Sequence, residues 1–126
     1  AVEIAKEVGI RLILLAERRS NIFPIIYDAS KLIDKKDNIE KVDFIYQDIA
    51  QRNQVEIFIK NANAFLKQNG NGAIAIKARS IDVFKKPSYI IEESERLLGR
   101  RFRILKTIKL DPFQKDHALI LVSNKK

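Results

Sequence analysis

Ala73-Ile74-Ala75-Ile76 is the segment that most limits what this chain can fold into. It is a short continuous apolar run bounded by turn formers and charge, and it reads as a buried strand. Asn69-Gly70-Asn71-Gly72 precedes it, and it ends on Lys77, with Ala78-Arg79-Ser80-Ile81-Asp82 beyond. Open α/β sheets build their active sites where buried strands hand polar residues to loops. A core strand ending in a solvated Lys-Ala-Arg carries the same pattern, so the rest of the chain has to decide.

Helix and strand signals alternate along that chain. Ile4, Val8, Leu12 and Leu15, widened by Ile13 and Leu14, predict a well-buried helix over residues 4–18. Ala1-Val2-Glu3 before it reads as the tail of a strand whose body lies upstream. Residues 21–27 favour β structure, and Pro24 within them predicts an edge or late-pairing strand. Asp28-Ala29-Ser30 closes that run and starts a turn or short helix, and the charged residues 30–40 read as a surface connection. Residues 42–46 alternate as a strand that ends at Gln47-Asp48.

Val55, Phe58, Ile59, Ala62, Phe65 and Leu66 predict an amphipathic helix over residues 52–68. The Asn-Gly-Asn-Gly cluster should terminate it with a left-handed cap. Pro87 can open a further helix lined by Ile90, Ile91, Ser94, Leu97 and Leu98 and capped by Gly99. Residues 102–110 and 117–122 read as the last two strands. Their six-residue link, 111–116, is too short for a crossover helix, so they should pair antiparallel. Elsewhere the alternation predicts right-handed crossovers and a mostly parallel sheet, an α/β fold in one domain.

Composition removes whole classes of chemistry. The chain has no Cys and a single His, which excludes disulfides, thiolate nucleophiles and His-cluster or thiolate metal sites, so no metal is expected. No apolar run approaches the ~20 residues of a membrane span. A net charge of +8 favours a polyanionic partner.

In a parallel sheet the carboxyl ends of the strands lie along one edge, where ligands bind. Glu3, Asp28, Asp48 and Lys77 fall at such ends. If the last strand is antiparallel, its beginning shares that edge, and His117 stands there. Topology alone thus predicts five polar residues on one rim. A carboxylate at a strand end suits bidentate bonding to ribose hydroxyls. No G-x-G-x-x-G or P-loop is present, so the opening strand and phosphate-type turn of a nucleotide fold are expected before residue 1.

Ala1-Val2-Glu3, Arg18-Arg19 with Asn21-Ile22, Tyr27-Asp28-Ala29, Gln47-Asp48-Ile49-Ala50-Gln51, Ile76-Lys77-Ala78-Arg79-Ser80-Ile81-Asp82 and Lys115-Asp116-His117-Ala118 together resemble the archaeal fibrillarin family, in order and across essentially the whole chain. The Lys-Ala-Arg-Ser-Ile-Asp and Asp-His-Ala segments are the most specific. The resemblance implies a class I (Rossmann-like) methyltransferase fold with a C-terminal antiparallel hairpin, lacking its N-terminal strand, loop and helix. It implies an S-adenosylmethionine-dependent enzyme that methylates RNA ribose 2′-hydroxyls, guided by box C/D RNA on a Nop-domain scaffold, with a kink-turn-binding protein as an indirect partner. Such a protein is cytoplasmic in archaea and nucleolar in eukaryotes, and a separate N-terminal piece of the same domain is a further implied partner.

By the same resemblance Glu3 takes the cofactor ribose, Asp28 with Ala29 the adenine, and Asp48 with Gln51 the methionine moiety. Ile4 stands where relatives often place an aromatic against the adenine. Asp48, Lys77 and His117 are three members of a Lys-Asp-Lys-His catalytic tetrad whose first lysine would lie upstream.

From the residues themselves, Asp48 also suits a helix N-cap, Asp28 a turn cap and Glu3 a first-turn carboxylate. Arg79, Lys85 and Lys86 can position RNA phosphates if they border the rim, whereas Lys35-Lys36, Arg100-Arg101 with Arg103, and Lys125-Lys126 read as solvated faces. The missing glycine loop keeps a second reading open, a non-catalytic subunit or inactive fragment that docks on scaffold and RNA. Another class I methyltransferase with a different substrate is the third.

Overall fold

The structure, a computed structural model, describes residues 1–125; Lys126, named among the basic pairs, lies outside them. Two compact units make up the chain, Ala1–Asn38 and Ile39–Lys126.

The first unit holds strand β1 (Val2–Glu3), helix α1 (Lys6–Arg18), strand β2 (Ile25–Ile26) and a 3-10 helix (Ala29–Asn38). β1 and β2 pair in parallel, with Glu3 opposite Ile26. β2 starts directly after Pro24, which lacks the N–H a longer ladder would need, and it is only two residues long. The charged 30–40 segment is the 3-10 helix and buries Leu32.

α1 forms where the apolar spacing places it but is not the well-buried helix expected. Gly9 is its one buried residue, and Val8, Ile10, Ile13, Leu14 and Leu15 stay about half exposed. Apolar spacing reports a face that favours burial, whereas burial itself depends on what packs against that face.

The second unit is a four-stranded sheet in the order β3-β4-β6-β5, formed by β3 (Val42–Gln47), β4 (Leu66–Lys77), β5 (Phe102–Lys109) and β6 (His117–Asn124). β3 and β4 are parallel, and β6 lies antiparallel between β4 and β5. Among the described residues the strands therefore form two hydrogen-bonded sheets, where the alternation had suggested one. Three helices complete the unit: α2 (Gln54–Phe65), α3 (Ala78–Ile81) and α4 (Pro87–Gly99).

Val55, Phe58 and Ala62 of α2 share one core with Ile91 and Leu98 of α4 and with Ile74, Ile76, Ala118, Ile120 and Val122 of the central strands. The even positions of β4 face this core, as the period of two requires. Phe58 meets Phe102 edge to face, with ring centroids 5.9 Å apart.

The Asn-Gly-Asn-Gly cluster does not cap α2. The helix ends at Phe65, and β4 begins at once with Leu66 and runs through the cluster. Asn69 does take the left-handed conformation, φ 65°, but inside a break in the β3–β4 register, where Val42 pairs Leu66 and Phe44 pairs Asn71. Such irregular segments absorb extra residues within a ladder. Gly72 serves close approach rather than φ: a Cβ there would lie 2.8 Å from Phe58 Cζ and 3.3 Å from the Ile45 carbonyl oxygen. Gly99 is likewise no left-handed cap, because it closes α4 with no positive φ and Arg100 continues in the right-handed region.

Gly72→Ala should therefore push the Phe58 ring off the sheet and lower stability by about 1–3 kcal/mol, the usual cost of overpacking. Chemical denaturation reads this as a lower midpoint at unchanged slope.

Candidate active site

β3 and β4 run in parallel and end side by side, so their last residues and the loops that follow meet on one edge. Asp48 comes directly after β3, and Lys77 is the last residue of β4. Their side chains form an ion pair, Lys77 Nζ to Asp48 Oδ1 at 2.8 Å. β6 enters antiparallel, which sets its first residue, His117, opposite Lys77 in the ladder. Asp48, Lys77 and His117, separated by up to 69 positions (117 − 48), are thus brought together by topology, as expected.

Asp48 is not the N-cap of α2, a place held by Asn53. That removes the structural explanation for its carboxylate and leaves the ion pair. The Lys77 side chain is 25% exposed and the Asp48 side chain 45%, so solvent screens the pair, and it contributes about 0–1 kcal/mol to stability.

The His117 ring is set from behind. Nδ1 lies 2.7 Å from the Lys115 carbonyl oxygen, which can only accept, so Nδ1 carries the proton and Nε2 of the neutral ring is an acceptor.

A buried glutamine holds this edge together, and neither its spacing nor its type had singled it out. Gln54, fully buried in the first turn of α2, accepts the Lys77 backbone N–H on Oε1 at 2.9 Å. Its Nε2 donates to the Gln51 carbonyl at 2.7 Å, and its own carbonyl accepts from the Gln47 side-chain amide at 2.7 Å. The one signal available was a glutamine amid the otherwise apolar stripe of a helix start.

Tyr46 adds a hydroxyl that donates to Asp48 Oδ2 at 3.4 Å. Its phenol is pushed above the ordinary value of 10.0, first by partial loss of water and then by the Asp48 charge and hydrogen bond, although most of the residue stays exposed.

The N-terminal unit carries the other expected residues. Glu3 and Asp28 lie at the carboxyl ends of the adjacent strands β1 and β2. Both have local duties: Glu3 Oε1 accepts the Ala5 N–H at 2.8 Å, and Asp28 Oδ1 accepts the Ser30 N–H and hydroxyl at 2.9 and 2.7 Å. The hydroxyl and then the backbone bond hold the Asp28 carboxyl below its ordinary value. Stabilisation from that depressed value is present above the unfolded pKa of 3.8 and fades as pH falls through the folded one. Ile4 is 60% exposed beside Glu3, and Ala29 begins the 3-10 helix. Two strand-end carboxylates can accept hydrogen bonds from donors such as a ribose diol or an exocyclic amine, and the uncovered Ile4 side chain offers an apolar surface to a ring face.

Of the basic residues, Arg79 is already engaged, its Nε with Asp116 Oδ2 at 3.1 Å and its Nη1 with the Val83 carbonyl at 2.9 Å. Lys85 reaches Glu93 at 3.8 Å and lies over the Tyr89 ring, while Lys86 is exposed at the start of α4.

Comparison with known proteins agrees with this architecture. The sequence model of the family described as Fibrillarin matches residues 1–126. The fibrillarin-like rRNA/tRNA 2′-O-methyltransferase of Methanocaldococcus jannaschii is 46% identical over 122 residues, 96% of this chain and 53% of that protein. Two solved structures, each 40% identical, are similar as well. One is a fibrillarin/Nop5p complex, at TM-score 0.94 over 98% of this chain and 59% of that one. The other is Aeropyrum pernix fibrillarin with natively bound S-adenosyl-L-methionine, at TM-score 0.81 over 96% and 53%. The chain spans about half the length of the curated relatives it matches. Its fold is that of the class I methyltransferases.

Two outcomes follow from the site's geometry. Gln54→Leu leaves the Lys77 N–H and the Gln51 carbonyl without their partner and should cost about 1–3 kcal/mol for each buried group so stranded, read by chemical denaturation. Asp48→Asn should lower the pH at which Tyr46 ionises, read as phenolate absorbance against a Tyr46→Phe reference. Because the folded value is the raised one, the stabilisation it reports is complete below pH 10.0 and lost as pH rises through the folded value.

Proposed function

This chain belongs to the fibrillarin family, and from that premise we propose that it carries the catalytic edge of an S-adenosylmethionine-dependent RNA 2′-O-methyltransferase. Residues 1–126 are then the C-terminal major part of a single methyltransferase domain. The observation that carries the reading is the Lys77–Asp48 ion pair at the ends of two parallel strands, with His117 opposite Lys77 across the ladder. Solved relatives support it in their own right, one described with bound S-adenosyl-L-methionine and one in complex with Nop5p.

Glu3 would hold the ribose of the cofactor and Asp28 with Ala29 its adenine, with Ile4 against the ring. Asp48 and Gln51 would serve the methionine end. When bound, that cofactor supplies an electrophilic methyl group on a cationic sulfonium. Lys77 would donate a hydrogen bond to the ribose 2′-oxygen and stabilise the negative charge that develops there as the hydroxyl proton leaves. Asp48 would fix the aim of the ammonium through their 2.8 Å ion pair, and its negative charge would suit a cationic group on the cofactor. The Nε2 lone pair of His117 orients the hydroxyl by accepting from it.

Lys85 and Lys86 would contact RNA phosphates, which fix register without reading sequence. Target choice then falls to pairing with a box C/D guide RNA. A Nop-domain scaffold, with a kink-turn-binding protein beyond it, would hold guide and enzyme together in the archaeal cytoplasm.

Methyl transfer by the complete gene product in a reconstituted guide-RNA particle tests this reading. Asp48→Ala and Lys77→Ala should each lower the single-turnover rate by about a hundredfold or more, the usual range for a positioned electrostatic or acid–base group. Both variants should stay folded, since the pair contributes little to stability. Full activity in both folded variants would sink the mechanism.

A further inference from the structure

Asp116 stands directly before His117, and among the described residues it is one of two non-glycine positions with a positive φ, at 61°. A left-handed backbone is costly for a residue with a Cβ, and it persists only where the surroundings fix it. Three contacts do so here. The Asp116 N–H donates to Asp111 Oδ1 at 3.1 Å, and its carbonyl accepts the Ala78 N–H at 3.1 Å. Its Oδ2 accepts from Arg79 Nε at 3.1 Å, while the same guanidinium donates through Nη1 to the Val83 carbonyl at 2.9 Å.

What this conformation controls is the aim of the His117 ring. The ladder already pairs His117 with Lys77, so its backbone is placed and only the side chain is left to orient. That orientation is held by the Lys115 carbonyl, 2.7 Å from Nδ1. The φ of Asp116 sets the angle of the preceding peptide plane, and the Lys115 carbonyl lies in that plane. An Asp116 relaxed to negative φ would swing the carbonyl away and leave the imidazole free to turn and to change tautomer. Two of the contacts that prevent this come from Ala78 and Arg79, the residues immediately after Lys77. The turn that aims His117 is therefore clamped to the strand end that carries Lys77.

We propose that Arg79 and Asp116 are a positioning pair, which locks the turn before β6 in its left-handed form and so keeps His117 in the orientation and tautomer that leave Nε2 free to accept from the target hydroxyl. The assignment rests on the methyl-transfer reading, and it gives Arg79 a bracing role in place of a phosphate contact. Arginine suits the task, because its rigid fork reaches acceptors on two loops at once, which the point charge of a lysine does not. The pair is no stability device. The Arg79 side chain is 55% exposed and that of Asp116 20%, so solvent screens their attraction, and what the contact supplies is direction.

The experiment uses the complete gene product, by itself for NMR and in the guide-RNA particle for kinetics. In long-range proton–nitrogen spectra of the neutral ring, His117 is identified by its loss in His117→Gln. It should be the Nδ1–H tautomer in the parent and shift toward Nε2–H in Arg79→Ala. At saturating RNA, Arg79→Ala should lower the single-turnover rate by about tenfold to a hundredfold, the scale of a small misplacement at a reacting centre, with the KM for RNA as in the parent. Arg79→Lys should recover little of that rate. Asp116→Ala should show the same defect, and the double variant should be no slower than the slower single one. If Asp116→Ala fails to fold, the Arg79 variants decide by themselves. An unchanged tautomer in Arg79→Ala would overturn the proposal, as would losses that add in the double variant. A raised KM at unchanged rate, or full rescue by Lys, would mark Arg79 as a phosphate ligand and overturn it as well. If the parent particle transfers no methyl group, the methyl-transfer reading fails by itself, and the tautomer still decides whether the pair aims His117.

Discussion

The buried amide of Gln54 is the contact on which the Asp48–Lys77 edge depends. A single side chain, sealed from water, receives the N–H of Lys77 and donates to the carbonyl of Gln51. With the Gln47 amide on its own carbonyl, it joins the end of β3, the loop after it, the start of α2 and the end of β4. Buried polar groups are costly unless paired, so this arrangement has one low-energy form, and that form fixes where Asp48 and Lys77 begin. The ion pair itself is half solvated and weak. Its alignment comes from backbone positions set behind it, not from its own attraction.

Strand ends were legible because they depend on local pattern and on topology. Lys77 and His117 could be placed on one edge once the short 111–116 link required an antiparallel last strand, and the ladder goes further by pairing those two residues directly. Asp48 followed from the alternation of residues 42–46. Gln54 was not legible, since a glutamine in the first turn of a helix is usually solvated, and its amide is satisfied by the end of a strand 23 residues further on. The Asn-Gly-Asn-Gly cluster misled for a related reason. Left-handed propensity identifies a residue able to turn, as Asn69 does, but the turn serves a ladder irregularity here and not a helix end. Gly72 was chosen by Phe58, a tertiary contact that no local rule contains.

Burial of α1 was overestimated because periodicity describes the face and not its cover. In the N-terminal unit, Glu3 and Asp28 reach adjacent strand ends as the parallel pairing required, and each also anchors the turn that follows it. Capping and ligand binding are compatible there, because a carboxylate has two oxygens and each cap uses only one of them. The basic residues divide by contact. Arg79, which charge alone had grouped with Lys85 and Lys86, spends its guanidinium on two loops of its own unit.

The central claim is that Asp48 and Lys77 act as one unit, and a double-mutant cycle on the single-turnover rate of methyl transfer addresses it directly. If the unit is real, Asp48→Asn with Lys77→Met should cost little more than the more damaging single change, as interacting groups do. Free-energy losses that simply add would contradict it, and would mean that the two residues serve the reaction separately despite their 2.8 Å contact.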